Sequence, residues 1–304
     1  MHSTINSPHV FGVGEILWDL LPHGKQLGGA PTNFAYYARA LGAQATVVSG
    51  IGHDANGDEI LQRLHELGIS RTGIFRHPSL PTGTVSVTLN PAGHPSYHIQ
   101  TEVAWDAFPY MDAIRAAIQR AHAVCFGTLA QRCPASRQTI QALLCAAPAH
   151  ALRVFDINLR QDYFNRAVIE ASLKLANVLK LNEHELPIVR DLLGLVGNEM
   201  ELLRQLRDRF GLRMLALTKG EAGSVLLQGD ELSVHPGIAT TVVDTVGAGD
   251  AFTAALTMGL LYGYPLAALH AHASRVAAFV CSCSGATTPL PDELLLAPTM
   301  ANQY

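Results

Sequence analysis

The residues best placed for chemistry are Gly247, Ala248, Gly249 and Asp250, within the run VVDTVGAGDAFTAAL over residues 242–256. The small residues let backbone N–H groups approach an anion closely, and the apolar helical pattern behind them adds about half a positive charge. Such a cradle suits a phosphoryl group that gains charge during reaction. Asp250, in the first helical turn, repels phosphate and cannot be its ligand. Its chemical use there is as a base that takes the proton of a hydroxyl attacking phosphorus. The ordinary alternative is an aspartate that caps its own helix behind a glycine turn.

Three other stretches hold similar residues. LGGAPTNFA places Gly28 and Gly29 before a helix with Asn33 in its first turn, so backbone and amide can meet a hydroxyl-bearing ligand. FDINLR puts Asp156, Asn158 and Arg160 at a strand end, and LNEHE puts Asn182 and Glu185 past another, where a carboxylate can hold magnesium through water. All fall after predicted strands, on what should be one edge of one sheet. The P-loop pattern is absent. Gly50, Gly52 and Ala55 give a dinucleotide-type spacing, but no acidic residue follows where a ribose contact belongs. A nicotinamide dehydrogenase is the rival from another enzyme class.

Short apolar runs at 10–13, 45–49, 123–126, 153–156, 178–181 and 214–218 alternate with helical patterns at 32–41, 57–67, 111–120, 134–147, 165–176, 183–193 and 198–210. Strand then helix, repeated, predicts an α/β fold with a parallel sheet covered on both faces. Residues 15–27 and 81–104 break the rhythm with turn signals and predict a small antiparallel flap, a natural lid. At 304 residues, one large domain with an appendage or two domains is expected.

A net charge of −4 advertises neither nucleic acid nor an anionic membrane as partner. The arginines at 204, 207, 209 and 213 read as a solvated helix face, and the apolar region 251–283 as two packed helices rather than a membrane span. Five cysteines without a CxxC pair read as buried thiols in a reducing compartment. The N-terminus lacks the basic-then-apolar order of a secretory signal, so a cytoplasmic location is expected.

DTVGAGDAF resembles the C-terminal signature of the ribokinase-like (PfkB) carbohydrate kinases, and GGAPTNFAYYARALGA their N-terminal signature. NEHE is similar to the family's N-x-x-E motif and TKGEAG to its nucleotide loop, in the family's order and spacing from Val10 to about Pro291. The resemblance implies a single domain over 1–304. Its fold would be a three-layer sandwich with a central, mostly parallel sheet and a β-strand lid made of about 15–27 and 81–104. It implies use of ATP and Mg2+. Carried over by position, Asp250 is the base and Gly247, Ala248 and Gly249 the anion hole. Asp19, Gly29 and Asn33 would contact sugar hydroxyls, as would Arg160. Glu185 would position magnesium, and Asn182 the nucleotide phosphates. Thr218, Gly220 and Gly223 would line the nucleotide site. Asp244 and the Val246 carbonyl match positions that bind a monovalent cation (K+), but Pro289 stands where ribokinases place a serine.

Within the family, GEILWDLLP, GGAPTN and the lid segment SYHIQTEVAWD are most similar to fructokinases. The lid carries Tyr97, His98 and Gln100 and no arginine from 83 to 106, which favours a neutral sugar over 2-keto-3-deoxygluconate. Ribokinase and nucleoside kinase remain alternatives, and a non-catalytic sugar sensor is a third class. Lid strands with a bare apolar face predict a homodimer through the lid.

Overall fold

The computed structural model describes residues 7–21, 24–89 and 95–296. Among them a nine-stranded sheet forms the centre. Its strands in chain order are β1 (His9–Val13), β4 (Gln44–Gly52), β5 (Ile74–His77), β8 (Ala123–Phe126), β9 (Leu152–Asp156), β10 (Val178–Asn182), β11 (Met214–Thr218), β12 (Ser224–Gln228) and β13 (Glu231–His235). The intervening β2 (Leu17–Leu21), β3 (Gly24–Gly28), β6 (Gly83–Leu89) and β7 (Pro95–Ile99) form a second sheet of four strands. In the large sheet the order is β13-β12-β11-β10-β9-β8-β1-β4-β5, parallel from β11 to β5, with β12 and β13 antiparallel at one end.

The alternation of side chains along each strand feeds two separate cores. Val10, Val47, Cys125, Val154 and Ala216 face one layer, made of α1 (Ala30–Ala40), α2 (Ala55–Glu66), α8 (Ala248–Leu261) and α9 (Leu266–Cys281). Phe11, Val48, Val124, Phe155 and Leu217 face the other. That layer is built from α3 (Asp112–Ile118), α4 (Pro134–Ala146), α5 (Arg166–Leu175), α6 (Glu185–Leu193) and α7 (Glu199–Phe210). Because both faces are covered, the central parallel strands are mainly apolar rather than alternating with polar residues. The two apolar helices α8 and α9 pack on each other, α8 also packs on α1, and no described helix is long and apolar enough to cross a membrane.

Several local expectations change. The edge strand β5 was not legible, because IFRH is short and half-buried. The strand after α1 runs through Gly52, so Gly50 and Gly52 lie within β4 and not in a phosphate-binding turn. A Cβ at Gly50 would lie 2.3 Å from the Ala104 carbonyl oxygen, and one at Gly52 2.4 Å from Asp54 Oδ2. These glycines answer close packing, which removes the basis of the dehydrogenase reading. Of the cysteines only Cys125 is buried. Cys145 is exposed on α4 and the other three are half-buried, so thiol burial was overstated. The arginines of α7 do lie on its solvated side, paired with Asp208, Asp230 and Glu170.

Candidate active site

Four parallel strands end together beside the start of α8, and their last residues assemble the site. Gly247 caps α8 in a left-handed conformation (φ 79°), and a Cβ there would fall 2.5 Å from the Ala286 carbonyl oxygen, so only glycine fits. The first turn of a helix leaves its N–H groups without intrahelical acceptors. That of Ala248 turns back to the Thr245 carbonyl at a long 3.3 Å. The Asp250 side chain does not cap this helix. Its Oδ2 accepts a hydrogen bond of 2.8 Å from Asn33 Nδ2, contributed by the first turn of α1, 217 residues away in sequence. The helix-capping alternative is thereby excluded. Asp250 is half-buried and, with Asp156, lines a void of about 10 Å³, room for about one water.

Asn33 is itself buried, and its carbonyl oxygen Oδ1 has no partner among the described residues. Its amide thus grips the base through the donor and leaves the acceptor for a ligand hydroxyl. Gly29, the N-cap of α1, has φ 103°, and a Cβ there would clash with the Glu15 carbonyl oxygen at 2.4 Å.

Sequence reading missed Lys180. It interrupts the apolar strand VLKLN, is buried, and donates to Asp156 Oδ1 at 3.1 Å, while Asp156 Oδ2 accepts from Thr253 Oγ1 at 2.8 Å. A Cβ on Gly249 would lie 3.2 Å from its Nζ, so the ammonium stands against the cradle backbone. Burial alone would depress its pKa, but the carboxylates of Asp156, Glu185 and Asp250 outweigh burial and raise it. Lys180 is therefore a fixed cation. A charged residue in the middle of a buried strand was the signal available.

Burial pushes the Asp250 carboxyl up to about 7, and the Asp156 carboxylate adds to the rise; the Asn33 hydrogen bond, Lys180 and Arg160 oppose it. Glu15, two residues past β1, is also missed by motif reading. Burial raises it to about 7, and its Oε2 has no hydrogen-bond partner. Asp19, on β2, rises to about 6 by burial against the pull of Arg160. Its Oδ2 lies over Gly28, where a Cβ would come within 2.2 Å. Arg160 is exposed, in the loop after β9, and its charge reaches all three carboxylates. Asn158 and Gln161 in that loop hold positive φ, of 44° and 46°, a strained backbone for non-glycine residues.

Glu185 opens α6. Its Oε1 accepts from the Leu159 N–H and its Oε2 from the Asn182 N–H, both at 2.8 Å. Burial raises its pKa, opposed by Lys180. Asn182 Oδ1 accepts the N–H groups of His184 and Glu185. Each Glu185 oxygen keeps a lone pair, and the described residues contain no group of three or more ligating side chains fit for a metal. This donor set suits magnesium bound through water and phosphate rather than in a protein cage.

Thr218 ends β11, and Gly220 (φ 53°) and Gly223 (φ 86°) shape the turn into β12. A Cβ at Gly223 would lie 1.9 Å from the His235 carbonyl oxygen. Asp244 joins two loops, accepting from the N–H groups of Val246 (3.0 Å) and Gly285 (3.1 Å). Val246 is exposed.

On the side of the second sheet, Tyr97 falls in β7, with its side chain outside the described residues. Gln100 follows β7, and its Oε1 accepts from Thr84 Oγ1 at 2.8 Å. Behind it stands an Arg132–Asp106 pair that sequence reading missed. Arg132 donates to both Asp106 oxygens at 2.8 Å and to the Gln100 carbonyl at 2.6 Å. Its guanidinium lies over the rings of Trp105 (4.0 Å) and Tyr163 (4.7 Å).

Known proteins share this chain's fold and part of its sequence. The pfkB family carbohydrate kinase profile matches residues 23–293, and the chain belongs to that family. An uncharacterized sugar kinase of Pyrococcus horikoshii is 31% identical over 310 residues, covering 94% of this chain and 96% of its own. A fructokinase of Klebsiella pneumoniae is 30% identical over 300 residues, with 93% and 96% covered. The Pyrococcus structure superposes with a TM-score of 0.82 at 29% identity over 94% of this chain and 96% of its own, and that protein has also been solved with ATP. A fructokinase of Xylella fastidiosa with bound ATP shares the fold at TM-score 0.82 and 22% identity, covering 93% of this chain and 95% of its own. The protein is a sugar kinase with a ribokinase-like α/β fold.

Proposed function

We propose that this sugar kinase transfers the terminal phosphoryl group of ATP to a primary hydroxyl of a neutral sugar, fructose foremost. The observation that carries the reading is Asp250, recessed at the start of α8 and held by Asn33. In this reading the sugar O–H loses its proton to Asp250. The freed oxygen attacks phosphorus, the bond to the ADP oxygen breaks, and the α8 N-terminus with Lys180 offsets the charge on the transferred group. Glu185 would hold a magnesium ion through water, and that ion would supply charge neutralisation of the phosphates. Thr218, Gly220 and Gly223 flank the nucleotide, and Asn182 its phosphates.

Asp19, Gly29, Asn33, Gln100 and Tyr97 meet sugar hydroxyls in the same reading, with the four-stranded sheet as a lid. A neutral sugar is preferred because Arg160 already faces Glu15, Asp19 and Asp250. Its charge needs no substrate carboxylate. Each Asp244 oxygen accepts one N–H and keeps a lone pair, as at Glu185, beside the Val246 carbonyl. Because Pro289 stands where ribokinases place a serine, we assign this corner a structural role, checked by comparing rates in potassium and tetramethylammonium salts.

The deciding experiment measures ADP release with fructose, ribose, 2-keto-3-deoxygluconate and nucleosides. Turnover highest with fructose is expected. A preference for the acid sugar or a nucleoside would overturn the substrate, and no ADP from any of them would overturn the kinase chemistry at this site.

A further inference from the structure

A second groove lies at the far end of the sheet from Asp250, by the amino ends of β1 and β4. Its volume is about 870 Å³, and Arg39, Arg71, Arg120, His9 and His65 line it without one aspartate or glutamate. The whole chain is net negative, so this basic lining is a local feature. The ion pairs of the described residues engage other arginines. The undescribed segments contain no Asp or Glu that would supply a counter-ion.

Arg39 is held in place. Its Nε donates to the Gly68 carbonyl at 2.8 Å, and a Cβ on Gly68 would lie 2.4 Å from its Nη2, so the guanidinium rests against that glycine. Just behind the groove, His122 accepts the His9 N–H through Nδ1 at 3.0 Å. Its imidazole is kept below the ordinary range by burial and then by His9 and His150. Like charges that share one concavity repel, and the cleft focuses their field outward. A bound multivalent anion relieves the repulsion. Guanidinium groups match phosphoryl oxygens in two-pronged fashion. The volume is that of a small-metabolite pocket, far more than a bare ion fills.

We propose that this groove is a second, non-catalytic binding site for a phosphate ester of a small metabolite, its phosphoryl head on Arg39, Arg71 and Arg120. The site is separate from the reaction centre, because β1 begins at the groove with His9 and ends near Glu15.

The test is calorimetric titration of the whole protein at low salt with glycerol 3-phosphate and, in parallel, inorganic phosphate. The same titrations are made on the Arg71→Gln/Arg120→Gln double variant. Both side chains are exposed and outside the reaction site, so unchanged kcat certifies the variant's fold; the single Arg71→Gln variant replaces it should it fail to fold. The expected result is millimolar or tighter binding of the ester, stronger than that of phosphate, weakened at least about tenfold in the variant and by added salt. Three results would overturn the proposal: no ester binding by the wild type, equal affinity for ester and phosphate, or an unchanged constant in the variant. The last would place all binding in the catalytic cradle.

Discussion

Asp250 and Asn33 act as a unit: one side chain is the base, and the other aims it and biases its proton. A carboxyl held near 7 works only when ionised, so kcat/KM is expected to rise as pH climbs through about 7. Asp250→Asn should lower kcat by at least about 10²-fold with little change in ATP affinity, measured by steady-state kinetics and nucleotide titration. Near wild-type turnover would remove Asp250 from its role. Asn33→Leu withdraws a hydrogen bond that favours the carboxylate, so the acid limb of the pH profile should move upward. An unmoved limb would show that Asn33 merely packs.

Glu15 poses a related stability question. Its folded pKa lies above the unfolded value, so its contribution is fully present below the unfolded pKa near 4.5 and lost as pH rises through about 7. Glu15→Gln should match wild type near pH 4 and exceed it at pH 8, by on the order of 2 kcal/mol in urea melts. The reverse ordering would place an unseen cation beside Glu15.

At the scale of elements, the buried Arg132–Asp106 pair ties the end of β7 to the main body, beside the bonds of Trp18 and Lys25 to Asn56 of α2. Arg132 links Asp106, the Gln100 carbonyl and two aromatic rings. Arg132→Met leaves the buried Asp106 carboxylate without its cation and with the long Val103 N–H bond of 3.3 Å, a loss of about 3–5 kcal/mol in chemical denaturation. The sugar KM should rise more than the ATP KM, because Gln100 lies on that side. Arg132→Met with Asp106→Leu should recover part of the stability, and equal losses in the single and double variants would show that the pair is not the tie. The start of α8 illustrates the same dependence: the glycine at 247 is demanded by Ala286, an element far along the chain.

On the scale of the whole molecule, the sheet separates two cores and brings strand ends distant in sequence to one edge. The four-stranded sheet keeps β3 and β7 as open edges, and Leu20 on β2 is exposed. The proposed homodimer would cover them by pairing two lids. Sedimentation velocity at micromolar concentration should give twice the chain mass, and Leu20→Lys should lower it. A wild-type monomer would leave the lid to close without a partner.

The strand–helix alternation, the helix starting at 248 and the strand-end positions of Asp156, Asn182 and Thr218 were legible in the sequence, because hydrophobic period and glycine placement are local properties. Local period could not reveal β5, whose four residues are half-buried, nor that Gly50 and Gly52 continue a strand against Ala104 and Thr82. The sequence by itself determined which side chains are available for catalysis and that they stand at strand ends. Only the tertiary structure decided that Asn33 grips Asp250, that Lys180 points into the cradle and that Arg39, Arg71 and Arg120 share a groove without a counter-ion. Those relations join residues tens to hundreds of positions apart. Burial and mutual charge, which set their chemistry, exist only once the chain has packed.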